Sequence, residues 1–134
     1  MGGRLRQYVY ISTVDPAVDE VGVARIIGTS QENNARNGIS GFLIFNGRNF
    51  LQLLEGEEAS LLSLMSRIAM DRRHSGIVRL EDVAIARRVF PDWSMRRIRL
   101  SDRNEDRRRD IDGLLPQTLD PAVRRTILNF SAFN

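Results

Sequence analysis

The sequence predicts an α+β domain: a five-stranded sheet with two helices on one face and a helical C-terminal cap on the other. Three observations predict it. Strand-like and helix-like segments follow one another in the order β-α-β-β-α-β-β. An Asn46-Gly47 pair sits between two apolar runs, a strong short signal for a hairpin. Beyond residue 100, a charge-rich stretch gives way to Asp120-Pro121 and spaced apolar residues, as at a helix start.

Residues 7–12 are aromatic and β-branched and read as the first strand. Asp15-Pro16 then reads as an N-cap with proline in the first helical position. The spacing of Val18, Val21, Ala24 and Ile27 predicts a helix that stops near Asn37-Gly38, two residues that tolerate the left-handed conformation of a helix end. Residues 39–45 form a near-continuous apolar run suited to a central strand, and residues 49–55 return from the hairpin. Glu57 and Glu58 favour a second helix start through the macrodipole. Leu61, Leu64, Met65 and Ile68 recur at helical spacing, and this helix is expected to end near Arg72. Residues 77–86 and 93–100 read as two further strands, with Phe90-Pro91-Asp92 as the turn between them. The first six elements make the ferredoxin-like split βαβ arrangement, and a fifth strand is added. Residues 101–134 are expected to cover the bare face with two short helices, a cap rather than an independent domain. Glu105 and Arg109 stand there at i,i+4 spacing, and Val123, Ile127, Leu128 and Phe130 follow Asp120-Pro121.

The chain's 134 residues suit one domain with its own core, and 42% hydrophobic with 28% charged residues is an ordinary globular mixture. Cysteine is absent, which excludes disulfides and thiolate metal sites; the single histidine, His74, excludes a multi-histidine metal site. No apolar run is long enough to cross a membrane, and Met1-Gly2-Gly3-Arg4 leads into no signal-like stretch, so a cytoplasmic location away from membranes is expected. All 20 basic residues are arginine. The net charge is only +3, so the pI of about 10.4 reflects arginine's high pKa as much as an excess of charge. The 17 acidic residues are interspersed with the arginines, a pattern of a solvated surface rather than of a nucleic-acid interface.

Five short patterns occur in order: YVYIS at 8–12, SQENNARNGISGFLIF at 30–45, FLQLLEG at 50–56, SRIAMDRRH at 66–74 and FPDWSM at 90–95. Together they resemble the signature of BLUF domains, blue-light sensors using flavin, along most of residues 7–100. The resemblance implies a ferredoxin-like domain over residues 1–100 that holds one flavin non-covalently between its two helices, FAD as a rule, with FMN left open. It implies a photoreceptor and not an enzyme that turns over substrate. In the family, a tyrosine and a glutamine form a hydrogen-bonded chain to the flavin. Blue light drives electron and proton transfer from the tyrosine; the glutamine then rearranges, by rotation or tautomerisation, and a small red shift results that reverses in the dark.

The matching tyrosine is Tyr10 and the matching glutamine is Gln52. Taken alone, Tyr10 reads equally as a core tyrosine whose hydroxyl needs a partner. Gln52 alternates with Phe50 and Leu54, so its face is otherwise apolar, and an amide buried there is costly unless hydrogen-bonded. Its donor and acceptor ends allow an exchange of hydrogen bonds without backbone movement; the plain alternative is a solvent-facing glutamine. Asn33 and Asn34 match the family's asparagine pair, Asn34 for the polar edge of the flavin ring; their plain alternative is an end-of-helix role. Ile26 and Ile68 match the apolar residues that sandwich the ring, a role that core packing can share, and Phe50 is carried with them as a cofactor contact. Arg67 and Asp71 match polar positions of the second helix that meet the ribityl chain and phosphate, against the alternative of a surface ion pair. His74 either approaches the cofactor or closes the helix. Trp93 and Met95 match the family's Trp-Ser-Met, and their i,i+2 spacing allows both on one strand face. This strand is expected to carry the signal from Gln52 to the C-terminal helices.

With no effector domain in these residues, the output is expected to pass to an unidentified downstream signalling protein or through a homo-oligomer built on edge strands or the sheet's back face. Two other classes compete. An acylphosphatase-like enzyme would use Arg4 and Asn46 for a phosphate, but no glycine-rich loop precedes the first helix. An RNA-binding sheet would stack bases on Tyr8 and Tyr10, but no RNP-like motif is present.

Overall fold

In a computed structural model, which describes residues 4–100 and 103–132, the expected order of elements is found. The elements are β1 (Leu5–Val14), α1 (Glu20–Arg36), β2 (Ser40–Phe45), β3 (Asn49–Glu57), α2 (Glu58–Ala69), β4 (His74–Ala84), β5 (Ser94–Arg99), α3 (Asn104–Leu114) and α4 (Pro121–Ala132). The sheet order is β4-β1-β3-β2-β5. The first four strands pair antiparallel, and β5 adds to the edge of β2 in parallel. This is the ferredoxin-like order with one strand added.

Alternation along the strands builds two cores, one on each face. Tyr8, Tyr10, Leu43, Phe50 and Leu54 point to the face covered by Val23, Ile26 and Ile27 of α1 and Leu61 and Leu64 of α2. Val9, Phe42, Ile44, Leu51 and Leu53 point to the other, covered by Ile111 of α3 and Val123, Ile127 and Leu128 of α4. Each such buried leucine, isoleucine or phenylalanine contributes roughly 1.5–3 kcal/mol. The tail helices therefore pack where the sequence places them, although residues 101–102 and 133–134 of that segment lie outside the described residues. Asp120 caps α4 as expected, its Oδ1 accepting from the backbone N–H groups of Ala122 (2.9 Å) and Val123 (3.2 Å).

Four local expectations are corrected. Asp15 does not cap α1: its carboxylate accepts from Ala17 N–H, two residues on, and closes a turn. Asp19 is the cap, accepting from Gly22 N–H three residues on at 2.8 Å. The later start rotates the buried stripe to Val23, Ile26 and Ile27, and leaves Val21 61% exposed and Ala24 exposed. Ile27 is common to both stripes, and Val23 with Ile26 offers more apolar area than Val21 with Ala24, so that pair wins the sheet. Helix α2 ends at Ala69, short of Arg72, because Asp71-Arg72-Arg73 form a turn into β4. Arg109 pairs with Asp106 at 2.6 Å rather than with Glu105, which pairs with Arg103.

Two backbone features matter for the site. Gly41 has φ 142°, and a Cβ there would lie 1.9 Å from the Leu53 carbonyl oxygen. Gly41→Ala is expected to destabilise the protein by roughly 3 kcal/mol or more, read from urea unfolding, since neither backbone can yield. Opposite it, Gly41 pairs with Ser94 while the next residue, Phe42, pairs with Arg96. Met95 is thus the extra residue of a β-bulge, and its φ of 58° is the only positive value at a non-glycine among the described residues.

Candidate functional site

A cleft opens between α1 and α2 above the middle of the sheet, with about 520 Å³ of empty space that includes its solvent-open mouth. Its floor is set by strand register. Tyr10 of β1 and Gln52 of β3 are direct cross-strand partners, on the helix-covered face. Both are buried, at 1% and 3% exposure, and the Tyr10 hydroxyl donates to Gln52 Oε1. Burial raises the Tyr10 phenol well above its ordinary pKa, so it stands as a protonated donor. With Oε1 committed to tyrosine, the Nε2 end of Gln52 has no partner among the described residues and turns to the cleft that the residue lines. The same cross-strand row runs on through Leu43 of β2 to Arg97 of β5, and in the other direction to Arg79 of β4.

Helical spacing builds the walls. Ile26, Thr29, Ser30 and Asn33 recur along one side of α1, with Asn34 beside them; Leu64, Arg67 and Ile68 do the same on α2. Asn34 is 1% exposed, and its Oδ1 has no hydrogen-bond partner among the described residues. A buried amide oxygen costs about 1–3 kcal/mol when unsatisfied, so this atom calls for a donor from a ligand. Arg67, at the cleft mouth, has no ion-pair partner among the described residues. Asp71 pairs instead with Arg73, through Nη2 at 2.7 Å and the Arg73 backbone N–H at 3.0 Å. It therefore stands in the turn after α2 and not on the helix.

Hydrogen bonds from Arg73 lower the Asp71 carboxyl to about 2. His74 contacts Ser12 Oγ through Nδ1 at 3.3 Å, lies 3.9 Å from Asp71 Oδ2, and packs against the Phe50 ring with centroids 5.6 Å apart. Burial lowers its pKa; Asp71 opposes that shift and Arg73 adds to it. Both groups hold fewer protons folded than unfolded, so both make stability fall on acidification. Histidine's contribution is lost as pH drops below its ordinary 6.5, and that of Asp71 between 3.8 and about 2. The urea midpoint is expected to fall between pH 7 and pH 5, and to fall less in His74→Gln; equal losses in both proteins would count against His74 as the titrating group.

The structure thus brings Tyr10, Gln52, Ile26, Asn33, Asn34, Arg67, Ile68 and Asp71 to one cleft. Three expected residues stand elsewhere. Phe50 is two residues from Gln52 on the same strand face, beneath His74, and does not line the cleft. Met95 is fully buried in the helix-side core. Trp93 lies on the opposite face, edge-on to Phe42 at 5.9 Å and beside Phe90 at 5.0 Å. The bulge at Met95 breaks the two-residue alternation, so the two residues do not share a face. Thr29, Ser30, Leu64 and Arg73 also line the cleft, and His74 joins them. Helical periodicity from Ile26 and Ile68 points to the first three; Arg73 needed the early end of α2.

The two rival classes lose their sites. Arg4 precedes β1 at the end where Leu5 faces Glu57, whereas Asn46 sits beyond Asn49, the partner of Thr13 at the far end. A strand of this length separates them by about 30 Å. The Asn46 carboxamide oxygen is also committed to the N–H groups of Arg48 and Asn49. Tyr8 and Tyr10 are buried under helices, not presented to bases.

Residues 5–96 match the model of the family described as sensors of blue light using FAD. The chain belongs to the BLUF family. It is 28% identical over 92 residues to the photoactivated adenylate cyclase subunit beta of Euglena longa, which covers 68% of this chain and 11% of that protein. It is 37% identical over 67 residues to the blue light- and temperature-regulated antirepressor BluF of Escherichia coli, covering 49% of this chain and 17% of that one. The chain therefore spans only about a tenth to a sixth of these relatives. Among solved structures, the BLUF protein BlrB in its dark state superposes with a TM-score of 0.72 at 33% identity, over 97% of this chain and 99% of that one. Klebsiella pneumoniae BlrP1, solved with FMN and cyclic diGMP, gives a TM-score of 0.82 at 31% identity, over 96% of this chain and 35% of that one. BLUF domains are flavin-binding blue-light sensors. The residues of this cleft fit such a group: apolar side chains from both helices, an unsatisfied amide oxygen at Asn34, uncommitted amide donors at Gln52 and a guanidinium at the mouth. No helix among the described residues is long and apolar enough to cross a membrane.

Proposed function

We propose that this BLUF domain senses blue light through the Tyr10–Gln52 pair, with FAD as the usual cofactor and FMN as the alternative. The observation that carries the proposal is the buried Tyr10–Gln52 hydrogen bond, set beside the unsatisfied amide oxygen of Asn34 in one cleft. Asn34 accepts from the polar edge of the flavin ring, and Asn33 lies beside it; Ile26 and Ile68 hold the ring's two faces. Arg67 and Asp71 meet the ribityl and phosphate side, where a guanidinium makes charge-assisted bonds. The flavin, once bound, supplies blue-light absorption and accepts an electron and a proton.

The chain's own residues do the rest. Tyr10 gives up an electron and its phenolic proton, and the proton leaves along its hydrogen bond to Gln52 Oε1. When both return to Tyr10, the Gln52 amide is left rearranged, by rotation or tautomerisation, with its donor and acceptor ends differently placed. The changed hydrogen bond at the ring edge gives a red shift that reverses in the dark. Met95 and Trp93, on opposite faces of the sheet, relay the change toward α3 and α4, which pass it to a partner protein or to a second copy of the chain.

An absorption spectrum of the purified protein, before and after blue light, tests the reading. A flavin spectrum with a small reversible red shift is expected, and chromatography of the released cofactor distinguishes FAD from FMN. A colourless protein that takes up neither added flavin would overturn it.

A further inference from the structure

A second cleft lies at the β5 edge, near the start of α1, and shares no described lining residue with the flavin cleft. Arg97 and Arg99 of β5 and Arg107 of α3 line it, with Glu20 of α1 as its one acidic residue among those described. Arg97 and Arg99 are two residues apart, and their partners Leu43 and Phe45 point to the α1 side, so both side chains rise from one strand face. Arg97 is half-buried; burial first, then the charge of Arg99, disfavour its charged form, and Glu20 offsets this only in part. Arg97 thus sits where water is partly excluded, with the exposed Arg99 beside it on the same face, and an anion placed between the two like charges offsets their repulsion. Beside them, Phe45 and Leu100 give the cleft an apolar wall.

We propose that this cleft binds a phosphate group, either free or carried by a small molecule. The planar guanidinium fork presents paired N–H donors matched to phosphate oxygens, and two forks from one strand face can grip one group from the same side. The arginines supply the affinity for phosphate itself, and the wall of Phe45 and Leu100 accommodates an attached base or sugar. The cleft is independent of the flavin reading, since none of its described residues takes part in that site.

The test is calorimetric titration of the flavin-loaded protein with inorganic phosphate and with adenosine 5′-monophosphate, at fixed ionic strength so that screening is constant. Saturable one-to-one binding is expected, weakened about tenfold or more by Arg97→Gln or Arg99→Gln, in keeping with the loss of a charge-assisted bond, and unchanged in Arg25→Gln on the exposed face of α1. Tighter binding of the nucleotide assigns the phosphate to a nucleotide-like ligand; equal binding assigns it to free phosphate. Side-chain Nε–H signals of the unmutated protein give a second reading that needs no variant: those of Arg97 and Arg99 are expected to shift. Absence of saturable binding, or shifts confined to Arg67 and Arg73 of the flavin cleft, would overturn the proposal.

Discussion

Gln52→Leu is expected to keep the flavin and lose the light-induced red shift altogether. Leucine nearly fills the volume of glutamine and suits the apolar surroundings of Phe50 and Leu54. The walls at Ile26 and Ile68 and the amide of Asn34 remain, so the cofactor stays. What goes is the acceptor of the Tyr10 proton and the donor end facing the cleft. Tyr10 then holds a buried hydroxyl without its partner, at a cost of about 1–3 kcal/mol, visible as a lower urea midpoint. Tyr10→Phe removes the donor instead and is expected to lose the shift as well. Spectra of both variants before and after illumination decide the matter. A persistent shift in Gln52→Leu would mean that the flavin responds to something other than this hydrogen-bonded pair, while the flavin site itself would stand.

Glu55→Leu is expected to lower stability by roughly 3–5 kcal/mol, a large share of the ~5–15 kcal/mol that holds a domain folded. Glu55 is fully buried on the tail-helix side of β3. Its carboxylate accepts from Gln7 Nε2, Val89 N–H and Phe90 N–H, each at 2.8 Å. These bonds pin the loop before β5, and Phe90 in turn packs edge-on against Phe42 at 5.1 Å. Leucine would strand three donors, and its apolar gain offsets only part of that loss. Glu55→Gln keeps one acceptor and is expected to fall between. Urea unfolding gives the magnitude, and faster amide exchange at Val89 and Phe90 gives the location. A loss under about 1 kcal/mol would show that aromatic packing alone holds the loop.

The Tyr10–Gln52 pair was legible because strand alternation sets both side chains on an apolar face and because the family motifs fall on these residues. That they face each other followed from the family resemblance alone and not from the residues, since the β1–β3 register joins residues more than forty positions apart. Asn46-Gly47 announced its hairpin because the signal is local, and Asp120 its cap for the same reason. Asp15-Pro16 carried the same local signature as Asp120-Pro121, yet Asp19 took the cap. Choosing between two aspartates depends on which helical stripe meets the sheet, a tertiary matter. The Met95 bulge was hidden because nothing in Trp-Ser-Met marks the residue that will be skipped. Glu55 stood in plain view as the polar third member of the Leu51, Leu53, Glu55 alternation. Its partners, two of them backbone groups in a distant loop, leave no trace in the sequence.

Strand β3 is a party wall between two rooms. Gln52 faces one side, and its immediate neighbours Leu51 and Leu53 press on the tail helices' core on the other. No polar group needs to cross for news of the cleft to arrive there. A small bowing of this strand would tighten one core as it slackened the other, so a rearrangement at Gln52 would be felt next door as a change of pressure on hydrocarbon.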